Sequence, residues 1–99
     1  MPSSPAAQPE LLHITTASAV GPVIRARRRA QSLRIDDAAA LSGVSVDLLS
    51  RLETGKGSVR LDKFLAVVDS LGLALVLGPK DHPGLQAVSH PVVGLDERP

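Results

Sequence analysis

Apolar residues recur at helical spacing on both sides of one glycine. Ile35, Ala38, Ala39 and Leu41 lead into Ser42-Gly43. This spacing predicts a helix over about Ile35–Ser42. Gly43 stops it by accepting the left-handed conformation. Val44 supplies an apolar plug for the corner. Ser45 is placed to cap the next helix by accepting a backbone N–H bond. Leu48, Leu49 and Leu52 then form one stripe of a second helix over about Val46–Thr54. Val46, Asp47, Ser50, Arg51 and Thr54 are left off that stripe. Gly55-Lys56-Gly57-Ser58 reads as a loop. Leu61, Phe64, Leu65, Val68 and Leu71 predict a further helix over Leu61–Leu71, ended by Gly72. Upstream, a first helix with Thr16 as its cap runs to about Gln31. Gly21-Pro22 disturbs its beginning, giving either a loose first turn or a true start at Pro22.

Leu73-Ala74-Leu75-Val76-Leu77 is continuously apolar and bounded by Gly72 and Gly78-Pro79. It reads as a strand buried on both faces. A strand cannot satisfy its own backbone. The expected partner is the same segment of a second copy, so Leu73, Leu75, Val76 and Leu77 are candidate dimerisation residues. Leu11–Ile14 is a possible extra strand. The plainer alternative for 73–77 is a buried or aggregation-prone end. Residues 1–14 read as an N-terminal tail, 15–78 as the folded domain, and 79–99 as a flexible C-terminal tail.

Composition narrows the class. The chain has 99 residues, one aromatic residue (Phe64) and no cysteine. Its core must be Leu, Val, Ile and Ala, and a core so small gains from dimerisation. Disulfides and thiolate metal sites are excluded. No apolar run reaches the length of a membrane span, and no basic-then-apolar leader opens the chain. A cytoplasmic protein is the expectation. The net charge of +1 hides an asymmetry: residues 21–63 hold nine Lys or Arg against five Asp or Glu. Positive charge thus collects on the segment containing the two short helices, as a phosphate-facing surface requires. Helix, glycine turn and helix in this order suit placing one helix in a DNA major groove, and the second helix would equally suit an ordinary amphipathic role.

Gly43-Val44-Ser45, Leu49-Ser50-Arg51-Leu52-Glu53 and Gly55 resemble the helix-turn-helix core of the XRE family of phage-repressor-like regulators. Val23–Arg29 resembles that family's first helix, and Ser58–Leu65 through Gly72 its fourth. The resemblance covers about residues 17–78. It implies an all-α, lambda-repressor-like domain of about four helices, with the C-terminal strand pairing across a dimer. Short length and the terminal LGLALVLG are similar to HipB-type antitoxins. That likeness implies a bacterial, nucleoid-associated repressor that binds a palindromic operator, controls its own operon and restrains a HipA-like kinase toxin. Two alternatives stay open. One is a stand-alone repressor, phage-like or a restriction-modification controller. The other is an interaction module that has lost DNA binding.

The candidate DNA residues are Arg27, Arg34, Ser45, Val46, Asp47, Ser50, Arg51, Lys56, Ser58 and Arg60. The fork of Arg51 suits guanine O6 and N7, or a phosphate. Val46 suits a thymine methyl, and Asp47 suits cytosine N4. Asp47 also repels phosphate, and an acid in a first turn complements the helix dipole. Ser45 is first a cap. The arginines of the first helix cannot all face one way. By resemblance Arg28 pairs with Glu53 inside the domain, which leaves Arg27 as the better phosphate candidate. Lys56 and Arg60 are either phosphate contacts or solvated loop charges. The family begins its second helix with Thr or Ser followed by Gln, whereas this chain has Arg34 and Ile35. The helix thereby loses its usual cap, and Ile35 cannot make the Gln hydrogen bonds, with Arg34 as a charged replacement for the phosphate contact. Ala38 stands where a leucine is common, which predicts looser packing.

Enzymatic readings find little support. His13, His82 and His90 show no ligand-like spacing. The GKGS string lacks the preceding strand and glycine of a phosphate-binding loop. No catalytic residues, metal or cofactor are expected.

Overall fold

The computed structural model describes residues 11–86. The expected tails therefore lie outside the described residues at 1–10 and 87–99, and so does His90. Residues 16–77 form one compact unit. It contains four helices: α1 (Val20–Ala30), α2 (Ile35–Ser42), α3 (Val46–Thr54) and α4 (Leu61–Ser70). Helix α1 packs on α3, and α2 packs on both α3 and α4. The core is Ile24, Ala38, Ala39, Leu49, Leu52, Val67, Val68 and Leu71. Each fully buried aliphatic side chain contributes about 1.5–3 kcal/mol. Ala38 is completely buried, so α2 meets its neighbours through a methyl group at that position.

All four helices stop in the same way. Ser32, Gly43, Gly55 and Gly72 each adopt a left-handed φ between 59° and 73°. In each case the next residue's N–H reaches back five residues: Leu33 to Arg28, Val44 to Ala39, Lys56 to Arg51 and Leu73 to Val68. This is the Schellman arrangement, and it satisfies carbonyls a helix end leaves open. Leu33, Val44 and Leu73 then turn back onto the core. Only Ser32 makes this turn with a side chain. A Cβ in that conformation crowds the following carbonyl.

The start of α1 resolves the Gly21-Pro22 question. A short 3-10 turn, Ala17–Ala19, leads into a helix that begins at Val20. Pro22 falls in the first turn, where N–H groups have no intrahelical acceptor, so its missing donor costs nothing. Thr16 makes no side-chain cap bond; its hydroxyl lies 3.4 Å from the Ser18 hydroxyl. Gly21 is buried for a different reason. A Cβ there would sit 2.7 Å from the Leu52 carbonyl oxygen and closer still to that of Glu53. Glycine at 21 lets α1 lie directly against the last turn of α3.

Three apolar assignments need correction. Leu41, Leu61 and Leu65 are exposed. On α2 the inward position belongs to Ser42, whose buried hydroxyl has no hydrogen-bond partner. On α4 the buried face runs through Phe64, Val67, Val68 and Leu71, one step round from the predicted stripe. The expected strand is also not formed: residues 73–77 carry no regular secondary structure in the single chain. Leu73 packs on the core, while Leu75, Val76 and Leu77 are exposed.

Residues 11–15 and 78–86 belong to a second unit. In Leu11–Ile14 only His13 has a β-bridge. Pro83–Gln86 makes a single helical turn, α5, where 79–99 was expected to be tail. His82 Nδ1 accepts the Gly84 N–H at 3.0 Å at its start.

Two substitutions test the backbone geometry. Gly21→Ala should lower stability by about 1–3 kcal/mol, because two backbones must part. Ser32→Gly should raise it by up to about 1 kcal/mol by relieving the left-handed Cβ. Urea unfolding midpoints measure both, and shifts of the opposite sign would contradict the geometry.

Candidate nucleic-acid interface

Helix α2, the turn at Gly43 and helix α3 form the helix-turn-helix. Gly43 takes φ 71°, a conformation that favours glycine. Ser45 Oγ accepts the Leu48 N–H at 3.0 Å, the predicted cap of α3. Leu49 and Leu52 bury the inner face of α3, and Leu48 is half-buried. Val46, Asp47 and Ser50 are exposed on the outside, with Arg51 partly exposed.

One ion pair fixes α3 on the body of the domain. Arg28 Nε donates to Glu53 Oε2 at 2.6 Å and Nη2 to Glu53 Oε1 at 2.9 Å. A third bond runs from Arg28 Nη1 to the Leu33 carbonyl at 2.9 Å. The two side chains are only 11% and 5% exposed. The hydrogen bond to Glu53 raises the Arg28 pKa above its ordinary value, against the lowering effect of burial. The paired geometry is bidentate, the strong form of arginine–carboxylate contact. The pairing implied by the resemblance is therefore present.

Arg27 has a partner inside the domain. Its Nε donates to the Leu71 carbonyl at 2.7 Å, and Gln31 Nε2 donates to the same oxygen at 3.0 Å. Arg27 thus ties α1 to the end of α4 through its Nε. The sequence signal was available: Arg27 and Gln31 are four apart and share one helix face.

Four further candidates, Arg51, Lys56, Arg60 and Arg34, lie on α3, on the loop after it and at the start of α2. Arg51 Nε lies 3.2 Å from Asp47 Oδ2, one turn back on the same helix. Its Nη1 donates to the Ser58 carbonyl at 2.8 Å, bracing the loop after α3. Lys56, Ser58 and Arg60 are exposed on that loop. Arg60 grips Asp62 with bonds of 3.1 and 2.8 Å. Arg34 occupies the N-cap position of α2 without a side-chain cap bond, as the departure from the family pattern predicts. Its Nε lies 3.3 Å from Asp36 Oδ1. Ile35 is half-buried against the core. Under the loop, Val20, Leu52, Val59, Leu61 and Phe64 line a shallow groove.

Among the described residues no group of three or more His, Asp or Glu is placed to hold a metal ion. No helix there is long and apolar enough to cross a membrane.

Known proteins share this architecture. The family model described as a helix-turn-helix domain matches residues 19–77. The chain is 34% identical over 67 residues to the uncharacterized HTH-type transcriptional regulator y4mF of Sinorhizobium fredii, covering 67% of this chain and 88% of that protein. Among solved structures it is similar to the clp gene regulator ClgR of C. glutamicum, with TM-score 0.53 and 29% identity, covering 59% of this chain and 75% of that one. It is also similar in fold to a chain of the HipA-HipB-O2-O3 complex. There the TM-score is 0.65 at 17% identity, covering 72% of this chain and 100% of the other.

The ion pair gives a direct test. Arg28→Ala should cost about 3–5 kcal/mol by leaving the Glu53 carboxylate buried and unpaired. The double replacement Arg28→Met with Glu53→Leu should recover much of that loss. Chemical denaturation of the three proteins decides it. A double variant no better than the single one would assign the loss to packing instead of charge.

Proposed function

This chain belongs to the helix-turn-helix domain family as an XRE-like regulator, and we propose that it is a sequence-specific repressor of double-stranded DNA. The observation that carries the reading is α3 itself. Its inner face is held by Leu49, Leu52 and the buried Glu53, and its outer face presents Val46, Asp47, Ser50 and Arg51. A helix fixed on one side and polar on the other can enter a major groove without rearrangement. Arg34, Lys56, Ser58 and Arg60 flank it as phosphate contacts. Arg27 stays in this set through its terminal guanidinium nitrogens, since only its Nε is engaged by the Leu71 carbonyl.

The proposed assembly is a homodimer on a palindromic operator, with its recognition helices in successive major grooves about 34 Å apart. The exposed Leu75, Val76 and Leu77 support it. Open backbone and bare apolar side chains in one segment suit strand pairing with a second copy. The proposed regulatory role is that of a HipB-like antitoxin, controlling its own operon and binding a HipA-like kinase. Its support is the likeness in fold to a chain of the HipA-HipB-O2-O3 complex. The second reading, a stand-alone repressor, is supported by the identity to an HTH-type transcriptional regulator. A kinase gene beside this one separates the two.

A gel shift of the protein on its own upstream DNA, with a random duplex as control and salt varied, tests the main reading. Selective binding supports it, and equal weak binding to both duplexes overturns it. Arg51→Ala should weaken operator binding by about 1–3 kcal/mol and relax specificity at one position; wild-type affinity in this variant would remove Arg51 from the interface. Leu75→Asp should release monomers in analytical ultracentrifugation. An unchanged sedimentation coefficient would refute the strand-paired dimer.

A further inference from the structure

Three arginines of the candidate interface share one feature. Arg34, Arg51 and Arg60 are each paired with an aspartate: Asp36, Asp47 and Asp62. Each aspartate is the second residue of its own helix, α2, α3 or α4. All three aspartates are more than half exposed. The surface that would meet phosphate therefore carries its own carboxylates beside its guanidinium groups.

We infer that Asp36, Asp47 and Asp62 are specificity-determining residues that suppress sequence-independent DNA binding. The inference rests on the DNA-binding reading above. A phosphate reaching Arg51 must come close to the Asp47 carboxylate, which repels it. A guanine edge carries no net charge and meets no such opposition, and Asp47 can itself accept from a cytosine amino group. At Arg34 and Arg60, placed above as phosphate contacts, Asp36 and Asp62 oppose the phosphate contact itself. Non-specific affinity comes almost entirely from phosphate neutralisation. Placing an anion beside each arginine thus weakens the non-specific term more than the base-reading term. Stability does not explain the pairs, because exposed ion pairs contribute little. Helix-dipole complementation explains an acid in a first turn. It does not explain why each of these three meets an arginine.

The test is the triple variant Asp36→Asn, Asp47→Asn, Asp62→Asn, with the three single variants and Asp69→Asn as a charge control. Asp69 is exposed in the last turn of α4, at the opposite end from Asp62. Fluorescence anisotropy on a random duplex and on the upstream fragment, over a salt series, gives both affinities. The triple variant should bind the random duplex at least about tenfold tighter at low salt. Its log–log salt slope should steepen by about 0.9 for each additional phosphate neutralised. Its preference for the upstream fragment should fall. A triple variant within twofold of wild type on random DNA overturns the inference. So does an Asp69→Asn effect as large as that of each single variant, since net charge alone would then suffice. If no protein binds any duplex at low salt, the DNA-binding reading fails and this inference fails with it. Circular dichroism checks folding, and the single variants carry the test if the triple does not fold.

Discussion

The Arg28–Glu53 pair sets the position of α3. It is buried, bidentate and joined by a third bond to the Leu33 carbonyl. Its two ends belong to α1 and to the last turn of α3. Beside it, Gly21 brings the α1 backbone against the carbonyls of Leu52 and Glu53. Charge and close approach act on the same contact. One fixes the direction of α3 and the other its distance. The outer face of α3 inherits its aim from that contact, since it has no packing of its own.

The contrast between buried and exposed ion pairs separates structure from function here. Burial makes the Arg28–Glu53 pair costly to break on either side. The exposed pairs at Arg34, Arg51 and Arg60 are nearly free to exchange partners. A surface that must trade its contacts for those of a ligand needs the second kind. The frame that holds the surface needs the first. Arg51 stands between the two, because it also supports the loop through the Ser58 carbonyl. Taking up a DNA contact there would touch both the helix and the loop.

Much of this domain was legible in the chain. Ser45 as a cap and Gly43 as a stop are local chemistry, which needs no knowledge of the rest of the fold. The boundaries of α2 and α3 followed from them. Helix faces were less legible. Leu41, Leu61 and Leu65 fit a helical stripe but lie outside it, because apolar residues occur on more than one side of α2 and α4. Periodicity then permits two faces, and tertiary contacts choose between them. Gly21 looked like an interruption, since its reason is a neighbour more than thirty residues away. The role of Arg27 depended on where α4 ends. The segment 73–77 was read as a strand from its own apolarity, yet a strand is a relation between two segments, and a single chain shows only one of them. The pairing of Asp47 with Arg51 was visible as an i, i+4 spacing; the Arg-x-Asp repeats at 34–36 and 60–62 stood in the sequence too, but their ion pairing appeared only with the helix starts in place.

The carbonyl of Leu71 is a fastening point. Arg27 and Gln31 both donate to it, and both stand on α1 beside Arg28. Four residues later the exposed apolar run Leu75–Leu77 begins. A continuous train of short, directional bonds thus runs from the root of that segment through α1 to α3. A force applied at one end has little slack in which to dissipate. The domain resembles a gauge block more than a hinge: Arg27, Arg28 and Gln31 stand together at the C-terminal end of α1, so the end of α4 and the last turn of α3 are fastened to the same short stretch of helix.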